Sequence, residues 1–525
     1  MIRKNSTDNT AAPPLQGGGG GAKGRKASSA SRKHRRKRCQ LFVRAPAPAE
    51  PGGAEGEGPV TDEMCSLVET GGVRVIILRL KPGSEVEREL EALADATAKM
   101  YNEVNFILRK LFFNGYFSWE RASRVLKAFY RAYCWGLLGR PRLGYHIADA
   151  VKQQLLNDWQ SFFGLLREKR EGKLPGWLKP RPPGYKKDKV TGEREKIFFV
   201  RNRGYRIVPE NGKRGKLVIS VAGKWISLAY HGRMLWKGKQ GTLIIKEAGG
   251  RWYAYVPVNV GVPAPADRKY MYVNGERDRV QVHEPRGSHK AFVDLGINNL
   301  MAVVTTSGRA LLYRGGPVKA EHEYWSKEAS IYQKVRDFCK NHGLPWEKWH
   351  HLYLRAYEKR GRRTRNLKRN AVSHLVKLLW EEGVDTVYVG LPYDIIHEKG
   401  NKYSVNVWGY RKITKWLSEA AAEYGIKVYA INEYKTSITC SRCGYESKEA
   451  RIHRGLYKCP HCGLEINADI NAALNIARKA GYTPPTPSKI EAFIPTHQGV
   501  TPLNEKEKST RPETITPRRV TGRHA

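Results

Sequence analysis

The chain of 525 residues carries 93 Lys and Arg against 50 Asp and Glu, a formal net charge of +43. Such a surplus repels itself unless a polyanion neutralises it, so nucleic acid is the expected partner. No run of about 18 apolar residues occurs, which predicts that no segment spans a membrane. The length allows two or three domains.

The two ends of the chain have low-complexity compositions. Residues 1–70 combine a glycine run, a basic cluster and a stretch rich in Pro, Ala, Gly and Glu. Such a segment buries too little apolar surface to offset its ordering entropy, so we expect a disordered arm. Residues 481–525 are rich in Pro, Thr, Lys and Arg, and we expect a flexible tail.

The first structured region is expected at 71–265. Val73–Lys81 alternates apolar and polar residues as a strand does, and 84–172 follows with helical periodicity. Several short strands come next, with Gly249 and Gly250 as a hairpin turn between the last two. This order predicts a small β-barrel interrupted by a helical insertion.

A second region, 288–480, has the pattern of an α/β fold. Three strands in a meander are followed by a long helical region, a strand, an amphipathic helix and a further strand. The strands are predicted at Ala291–Leu295, Leu300–Thr306, Ala310–Arg314, Thr386–Val389 and Ile426–Asn432. This is the order of an RNase H-like fold.

Inside the long helical region, Arg355–Asn370 holds eight Lys or Arg in sixteen residues. A charge run of this kind is often only a solvated helix face. In so basic a chain, contact with backbone phosphates is an equally good interpretation.

Four of the eight cysteines are clustered, and the other four are scattered. Within 436–465, Cys440, Cys443, Cys459 and Cys462 form C-x2-C-x15-C-x2-C, the spacing of a tetrahedral Zn2+ site. A ribbon with four thiolate ligands has no open position, so this zinc would be structural. The cysteine usage indicates a reducing compartment, and we expect a cytoplasmic protein rather than a disulfide framework.

Candidate catalytic groups are carboxylates. Asp294 ends the first strand of the meander, and Asp469 lies in the first turn of a helix capped by Asn467. Two Mg2+ ions that activate water and stabilise a leaving oxygen need several carboxylates. Taken singly, Asp294 could be a turn residue and Asp469 a helix-dipole partner.

The combination of F-V-D-L-G-I-N-N-L, T-S-I-T-C-S-R-C-G, Y-K-C-P-H-C-G and D-I-N-A-A-L-N-I resembles the OrfB/TnpB transposon-encoded proteins, relatives of type V CRISPR effectors. The resemblance implies a wedge-like β-barrel with a helical insertion, then a RuvC nuclease domain with an inserted zinc ribbon. It implies an RNA-guided, Mg2+-dependent DNA endonuclease with guide RNA and target DNA as partners, and a separately encoded transposase as a possible further one. Asp294 and Asp469 match the first and third RuvC carboxylates.

The second carboxylate position departs from the family pattern, because Gly390 stands at the end of the fourth strand. Glu433, at the end of the neighbouring fifth strand, could supply the missing group, and Asp394 could reach back from the following loop. Otherwise the chain is a nuclease-dead nucleic-acid-binding protein. A transposase performing strand transfer itself is a third interpretation, for which no separate motif is visible.

Overall fold

The computed structural model describes residues 65–174, 176–188, 190–391, 408–453 and 455–503. Its helices are α1 Ser84–Phe113, α2 Trp119–Trp135, α3 Tyr145–Arg170, α4 Gly316–Asn341, α5 Glu347–Glu381, α6 Tyr410–Ala421 and α7 Ala468–Lys479. Of the helices in these ranges, none is long and apolar enough to cross a membrane.

The strands form two large sheets and one small one. They are β1 Cys65–Leu67, β2 Val73–Lys81, β3 Ile197–Val200, β4 Tyr205–Asn211, β5 Arg214–Val221, β6 Lys224–His231, β7 Gly238–Gln240, β8 Leu243–Glu247, β9 Trp252–Val260, β10 Tyr272–Val273, β11 His289–Asp294, β12 Asn299–Thr305, β13 Arg309–Arg314, β14 Val384–Leu391, β15 Lys427–Asn432, β16 Leu456–Lys458, β17 Glu465–Asn467, β18 Lys489–Pro495 and β19 Val500–Pro502.

The first large sheet runs β10-β7-β9-β2-β6-β5-β4, with β8 joining β3 to β9. Strand β9 alternates buried and half-buried residues, so one face of the sheet is internal. Helices α1 to α3 pack on that face, and the shared core includes Leu90, Trp159 and Val256. The turn between β8 and β9 is made by Gly249 and Gly250, both at positive φ, as the sequence predicted.

The second large sheet runs β1-β15-β14-β11-β12-β13-β18-β19. Strands β11 to β13 are an antiparallel meander, and β14 and β15 add in parallel beside β11. Strand β12 is buried along its whole length. The sheet is therefore covered on both faces, by α5 and α6 on one side and by α7 on the other.

Two predictions about the chain ends are wrong in part. Cys65–Leu67, expected within the disordered arm, pairs antiparallel with β15. In the expected flexible tail, β18 pairs with β13 and β19 with β18, and Phe493 is buried against Tyr313. Short strands can complete an existing sheet edge without a core of their own, so composition does not reveal them. The remainder of the two ends, 1–64 and 504–525, lies outside the described residues.

The cysteine-rich segment contains the small sheet, in which β16 and β17 pair antiparallel. The glycine after each Cys-x-x-Cys pair has positive φ, 76° at Gly444 and 69° at Gly463. This conformation lets the chain turn tightly so that both cysteines of a pair point to one centre. Strand β17 leads directly into α7.

Candidate active site

Asp294 is the last residue of β11, and Phe292 and Val293 before it are fully buried. Asp294 therefore lies at the carboxyl end of a central strand of the sheet. Burial raises the pKa of Asp294 well above its usual range, and the neighbouring carboxylates of Glu433 and Asp469 raise it further, whereas Arg451 lowers it. The two expected acids and Glu433 therefore lie within electrostatic reach of one another.

Asp469 is buried, at 5% exposure, in the first turn of α7. The Asn467 side chain caps this helix by accepting from the backbone N–H groups of Asp469 and Ile470, as the sequence predicted. The Asn299 amide donates to Asp469 Oδ2 at 2.8 Å, and Arg451 Nη2 lies 3.2 Å from Oδ1. Both carboxylate oxygens are thus held in place.

Sequence reasoning missed Asn299 and Arg451. Asn299 lies inside the F-V-D-L-G-I-N-N-L motif, but nothing local in the sequence indicates its contact with Asp469, 170 residues further along the chain. Arg451 comes from an irregular part of the cysteine-rich segment, where no periodicity or spacing indicates a contact with α7.

Gly390 and Glu433 share one space between neighbouring strands. Gly390 on β14 pairs with Ile431 on β15, and Glu433 follows two residues later. A Cβ atom at Gly390 would lie 3.2 Å from Glu433 Oε2 and 2.6 Å from Ile476 Cδ1. Because Gly390 has no side chain, the Glu433 carboxylate can occupy the space beside the end of β14. The family pattern has a carboxylate residue at this strand end.

One oxygen of the Glu433 carboxylate lacks a hydrogen bond within the described part of the chain. Its Oε2 atom is buried and has no hydrogen-bond partner among the described residues. Burial raises the pKa of Glu433 to about 7, while the ammonium group of Lys479 opposes this effect. An orphaned buried carboxylate oxygen is costly unless a proton or a cation compensates it.

Tyr410, at the start of α6, faces the same three carboxylates. Burial raises its pKa, and the charges of Glu433, Asp294 and Asp469 raise it further. The fourth candidate, Asp394, lies outside the described residues. The three acids, the Arg451 guanidinium and the Tyr410 phenol therefore lie together near the carboxyl ends of β11 and β15.

The cysteine cluster is fully assembled. The Sγ atoms of Cys440 and Cys462 are 3.6 Å apart, as are those of Cys443 and Cys459. A disulfide has sulfurs about 2.05 Å apart, whereas tetrahedral Zn2+ with Zn–S bonds of about 2.3 Å places them about 3.8 Å apart. All four sulfurs lie within 4.8 Å of one another, so the cluster could hold a metal ion. In the described part of the chain, the three carboxylates form no comparably tight group.

Polar side chains of α7 fasten the first cysteine pair to this helix. Asn475 Nδ2 donates to the carbonyl oxygens of Thr436 and Thr439, and Asn471 both donates to Thr439 O and accepts from the Ser441 N–H. The Arg478 guanidinium donates to the carbonyl oxygens of Cys440 and Ser441. The helix that carries Asp469 is therefore tied to the cysteine cluster.

Two family models match the two halves of this site. Residues 258–395, with Asp294 and Gly390, match the OrfB_IS605 model, described as a probable transposase, and residues 410–476 match the Cas12f1-like TNB domain. The TnpB-like protein ORF457 of Acidianus two-tailed virus is 37% identical over 451 residues, 85% of this chain and 95% of the relative. The chain belongs to the TnpB family.

Other similarities extend to type V effectors. The CRISPR-associated endodeoxyribonuclease Cas12f1 of Sulfoacidibacillus thermotolerans is 36% identical over 104 residues, 20% of this chain and 24% of that protein. A Cas12f1-sgRNA-target DNA complex is similar with a TM-score of 0.46 and 14% identity, over 75% of this chain and 83% of that one. The resemblance that the sequence motifs indicated is confirmed.

Proposed function

We propose that this TnpB family member is an RNA-guided, Mg2+-dependent DNA endonuclease. Residues 288–480, which hold strands β11 to β15 of the second large sheet, form an RNase H-like RuvC nuclease domain with a zinc ribbon at 436–465, and β1, β18 and β19 extend its sheet. Residues 71–265, which hold the first large sheet except β10, form a wedge-like barrel with a helical insertion. The observation that carries the proposal is the convergence of Asp294, Glu433 and Asp469: burial and then the two neighbouring carboxylates raise the pKa of Asp294, and the Arg451 guanidinium opposes them.

The donor set fits hard divalent cations. Carboxylate oxygens are the ligands that Mg2+ prefers, and the unpartnered Oε2 of Glu433 is a ready-made ligand atom. Sites that hold two such ions about 3.5–4 Å apart are built from several carboxylates. Bound Mg2+ would supply water activation and stabilisation of the leaving oxygen.

The remaining side chains have supporting roles. Asn299 fixes the rotamer of Asp469 by donating to Oδ2, so that Oδ1 stays turned toward Arg451. The Arg451 guanidinium can neutralise a phosphate that approaches the acids, because it is more than a third exposed while Asp469 is buried. Cys440, Cys443, Cys459 and Cys462 hold a structural Zn2+.

The test is cleavage by the full chain with its co-purified RNA. We expect DNA matched to that RNA to be cut in Mg2+, and Asp294→Ala to abolish the cut while RNA still binds. Asp385→Asn is a matched control, because Asp385 lies at the other end of β14, paired with Lys290. Cleavage that persists in the Asp294→Ala protein would refute the assignment.

Gly390 motivates a second candidate function, a nuclease-dead RNA- or DNA-binding protein of the same family. The two are separated by Glu433→Gln, which keeps the size of the side chain and removes its charge. If Glu433 is the second carboxylate, this variant loses cleavage as completely as Asp294→Ala. If Glu433→Gln cuts normally and Asp394→Asn does not, Asp394 is the ligand, and if the unaltered protein binds without cutting, the second candidate stands.

A further inference from the structure

The last turn of α7 contacts the segment that carries Glu433. Lys479 lies in this turn, and its Nζ atom donates to the carbonyl oxygens of Asn432 at 3.2 Å and Tyr434 at 2.5 Å. These two carbonyls belong to the residues on either side of Glu433. One ammonium group therefore holds the backbone both before and after the residue that bears the carboxylate.

A cation at a helix end has a simpler interpretation. Lysine near a helix C-terminus often only complements the helix dipole or bonds the last carbonyls of its own helix. The Lys479 ammonium group instead reaches carbonyls 47 and 45 residues earlier in the chain, in the segment after β15. Its charge is also close enough to the Glu433 carboxylate to oppose the effect of burial on the pKa of that group. The contact therefore stabilises the Glu433 segment as well as the end of α7.

The turn that follows Glu433 needs such support. Lys435 has a φ of 64°, the left-handed conformation that a residue with a Cβ atom adopts only at a cost in free energy. Within the turn, the Glu433 carbonyl oxygen accepts from the backbone N–H and from the side-chain hydroxyl of Thr436. A strained turn keeps its shape when the surrounding structure fixes its ends.

Helix α7 fixes both ends of this turn from one face. Asn475 and Lys479 are four positions apart, so they lie on the same side of the helix. Asn475 Nδ2 donates to the Thr436 carbonyl oxygen at 2.9 Å, and Lys479 holds the carbonyls that flank Glu433. The same helix carries Asp469 in its first turn. One helix therefore carries one of the three acids and supports the backbone of another.

We propose that Lys479 is a positioning residue for the Glu433 carboxylate, acting through the two backbone carbonyls that flank it. Its role is to keep this carboxylate in the space beside Gly390, within electrostatic reach of Asp294. The inference deepens the proposed function and rests on its assignment of Glu433 as the second carboxylate. Lys479 acts through protein atoms, so it need not touch the nucleic acid.

The first measurement is single-turnover cleavage by the full chain, with its co-purified RNA, as the Mg2+ concentration is varied. Lys479→Met keeps most of the side-chain length and removes the N–H donors. We expect the Mg2+ concentration for half-maximal cleavage to rise about tenfold, since loss of a group that orients a metal ligand costs about 10- to 100-fold in metal affinity or activity. The cleavage rate at saturating Mg2+ should fall less.

The second measurement does not depend on cleavage. Hydrogen–deuterium exchange, followed by mass spectrometry without Mg2+, reports the local opening of backbone amides. In Lys479→Met, the amides of residues 430–438 should exchange about fivefold faster, while those of the buried strand β12 should not change. Equally faster exchange in β12 would indicate general destabilisation and would overturn the positioning role.

Lys435→Met is the matched control. Lys435 lies in the same turn and its ammonium group pairs with Glu446, so the substitution removes the same charge near Glu433 and leaves the two flanking carbonyls bonded. We expect its Mg2+ requirement to stay within about twofold of that of the unaltered protein, because exposed ion pairs contribute little. Lys479→Arg should recover most of the lost Mg2+ affinity, since a guanidinium group can donate to two carbonyl oxygens at once.

The outcomes separate this inference from the proposed function. If Glu433→Gln abolishes cleavage while Lys479→Met keeps the Mg2+ requirement and exchange rates of the unaltered protein, the positioning role is overturned and the proposed function stands. If Glu433→Gln cuts normally, the inference falls with the assignment of Glu433. If the unaltered protein binds without cutting, the proposed function fails, and the exchange rates still decide whether Lys479 holds the Glu433 segment.

Discussion

At the scale of single residues, Gly390 and Glu433 are coupled by the space that they share between neighbouring strands. A Cβ atom at position 390 would lie 2.6 Å from Ile476 Cδ1 and 3.2 Å from Glu433 Oε2, closer than ordinary van der Waals contact. A larger residue at position 390 would therefore require the Ile476 and Glu433 side chains to shift.

This relation predicts the outcome of moving the acid. Gly390→Glu/Glu433→Gly should restore part of the cleavage that Glu433→Gln loses, because the carboxylate returns to the same edge from β14. Adding Ile476→Val, which removes the clashing Cδ1 atom, should improve the rescue. Single-turnover cleavage rates measure both steps, and Gly390→Glu alone should be less active and less stable because both acids then compete for one space.

Asn299 supports a second prediction at this scale. Asn299→Ala removes the donor to Asp469 Oδ2, and loss of such a supporting hydrogen bond costs about 10- to 100-fold in metal affinity or activity. We expect the Mg2+ concentration for half-maximal cleavage to rise. Asn298→Ala, next to it in the chain, is the control, and an unchanged Mg2+ requirement for Asn299→Ala would contradict the supporting role.

At the scale of elements, much of the fold could be predicted. The meander β11–β13, the parallel strands β14 and β15 and the paired cysteines have strong local signals, in alternation, spacing and glycine position. The edge strands β1, β18 and β19 do not, since they gain their stability by completing a sheet whose edges are formed by distant segments. Arg451 was missed for the same reason, because only the folded ribbon brings it to Asp469.

The hydrogen bonds from α7 to the cysteine-rich segment predict that loss of zinc also reduces cleavage. Cys443→Ser, or removal of zinc by a chelator, should release the backbone that Asn471, Asn475 and Arg478 hold, and so loosen α7 and Asp469. We expect cleavage to fall at least tenfold at saturating Mg2+. Asn475→Ala should give part of this loss with zinc still bound, as measured by metal content.

The control for that experiment is Cys134→Ser, since Cys134 is buried in the first core, away from the ribbon. Full activity of zinc-free protein, with Mg2+ present, would show that the hydrogen bonds between α7 and the cysteine-rich segment do not position Asp469.

At the scale of the whole molecule, one half-buried acid, Glu321, helps to fasten the C-terminal hairpin β18–β19 to the helices. Glu321 on α4 pairs bidentately with Arg363 on α5 and contacts His497 Nε2 at 2.8 Å. Its hydrogen bonds, that with Arg363 first, lower the pKa of Glu321 to about 2. The Glu321 carboxyl is therefore ionised down to a lower pH in the folded protein than in the unfolded chain.

A carboxyl whose pKa is lower in the folded state stabilises the protein above its unfolded pKa, and this contribution is lost as the pH falls toward the folded value. Glu321→Gln should therefore lower stability by about 2–3 kcal/mol at pH 7, with the difference shrinking between about pH 4.5 and 2. Urea midpoints at several pH values measure it. Glu449→Gln, at an exposed position, should leave the midpoint unchanged, and a pH-independent effect of Glu321→Gln would exclude the ionic explanation.

The shared space at Gly390 also matters for how relatives are sorted. A survey that judges nuclease competence from one alignment column, the residue ending the fourth strand, would place this chain among the inactive members. If the proposed role of Glu433 holds, a survey that scores the positions of Gly390 and Glu433 together would instead retain this chain among the candidate nucleases. Ancestral reconstruction could then determine in which order the residues at positions 390 and 433 changed, because a side chain at 390 would crowd both Ile476 and Glu433.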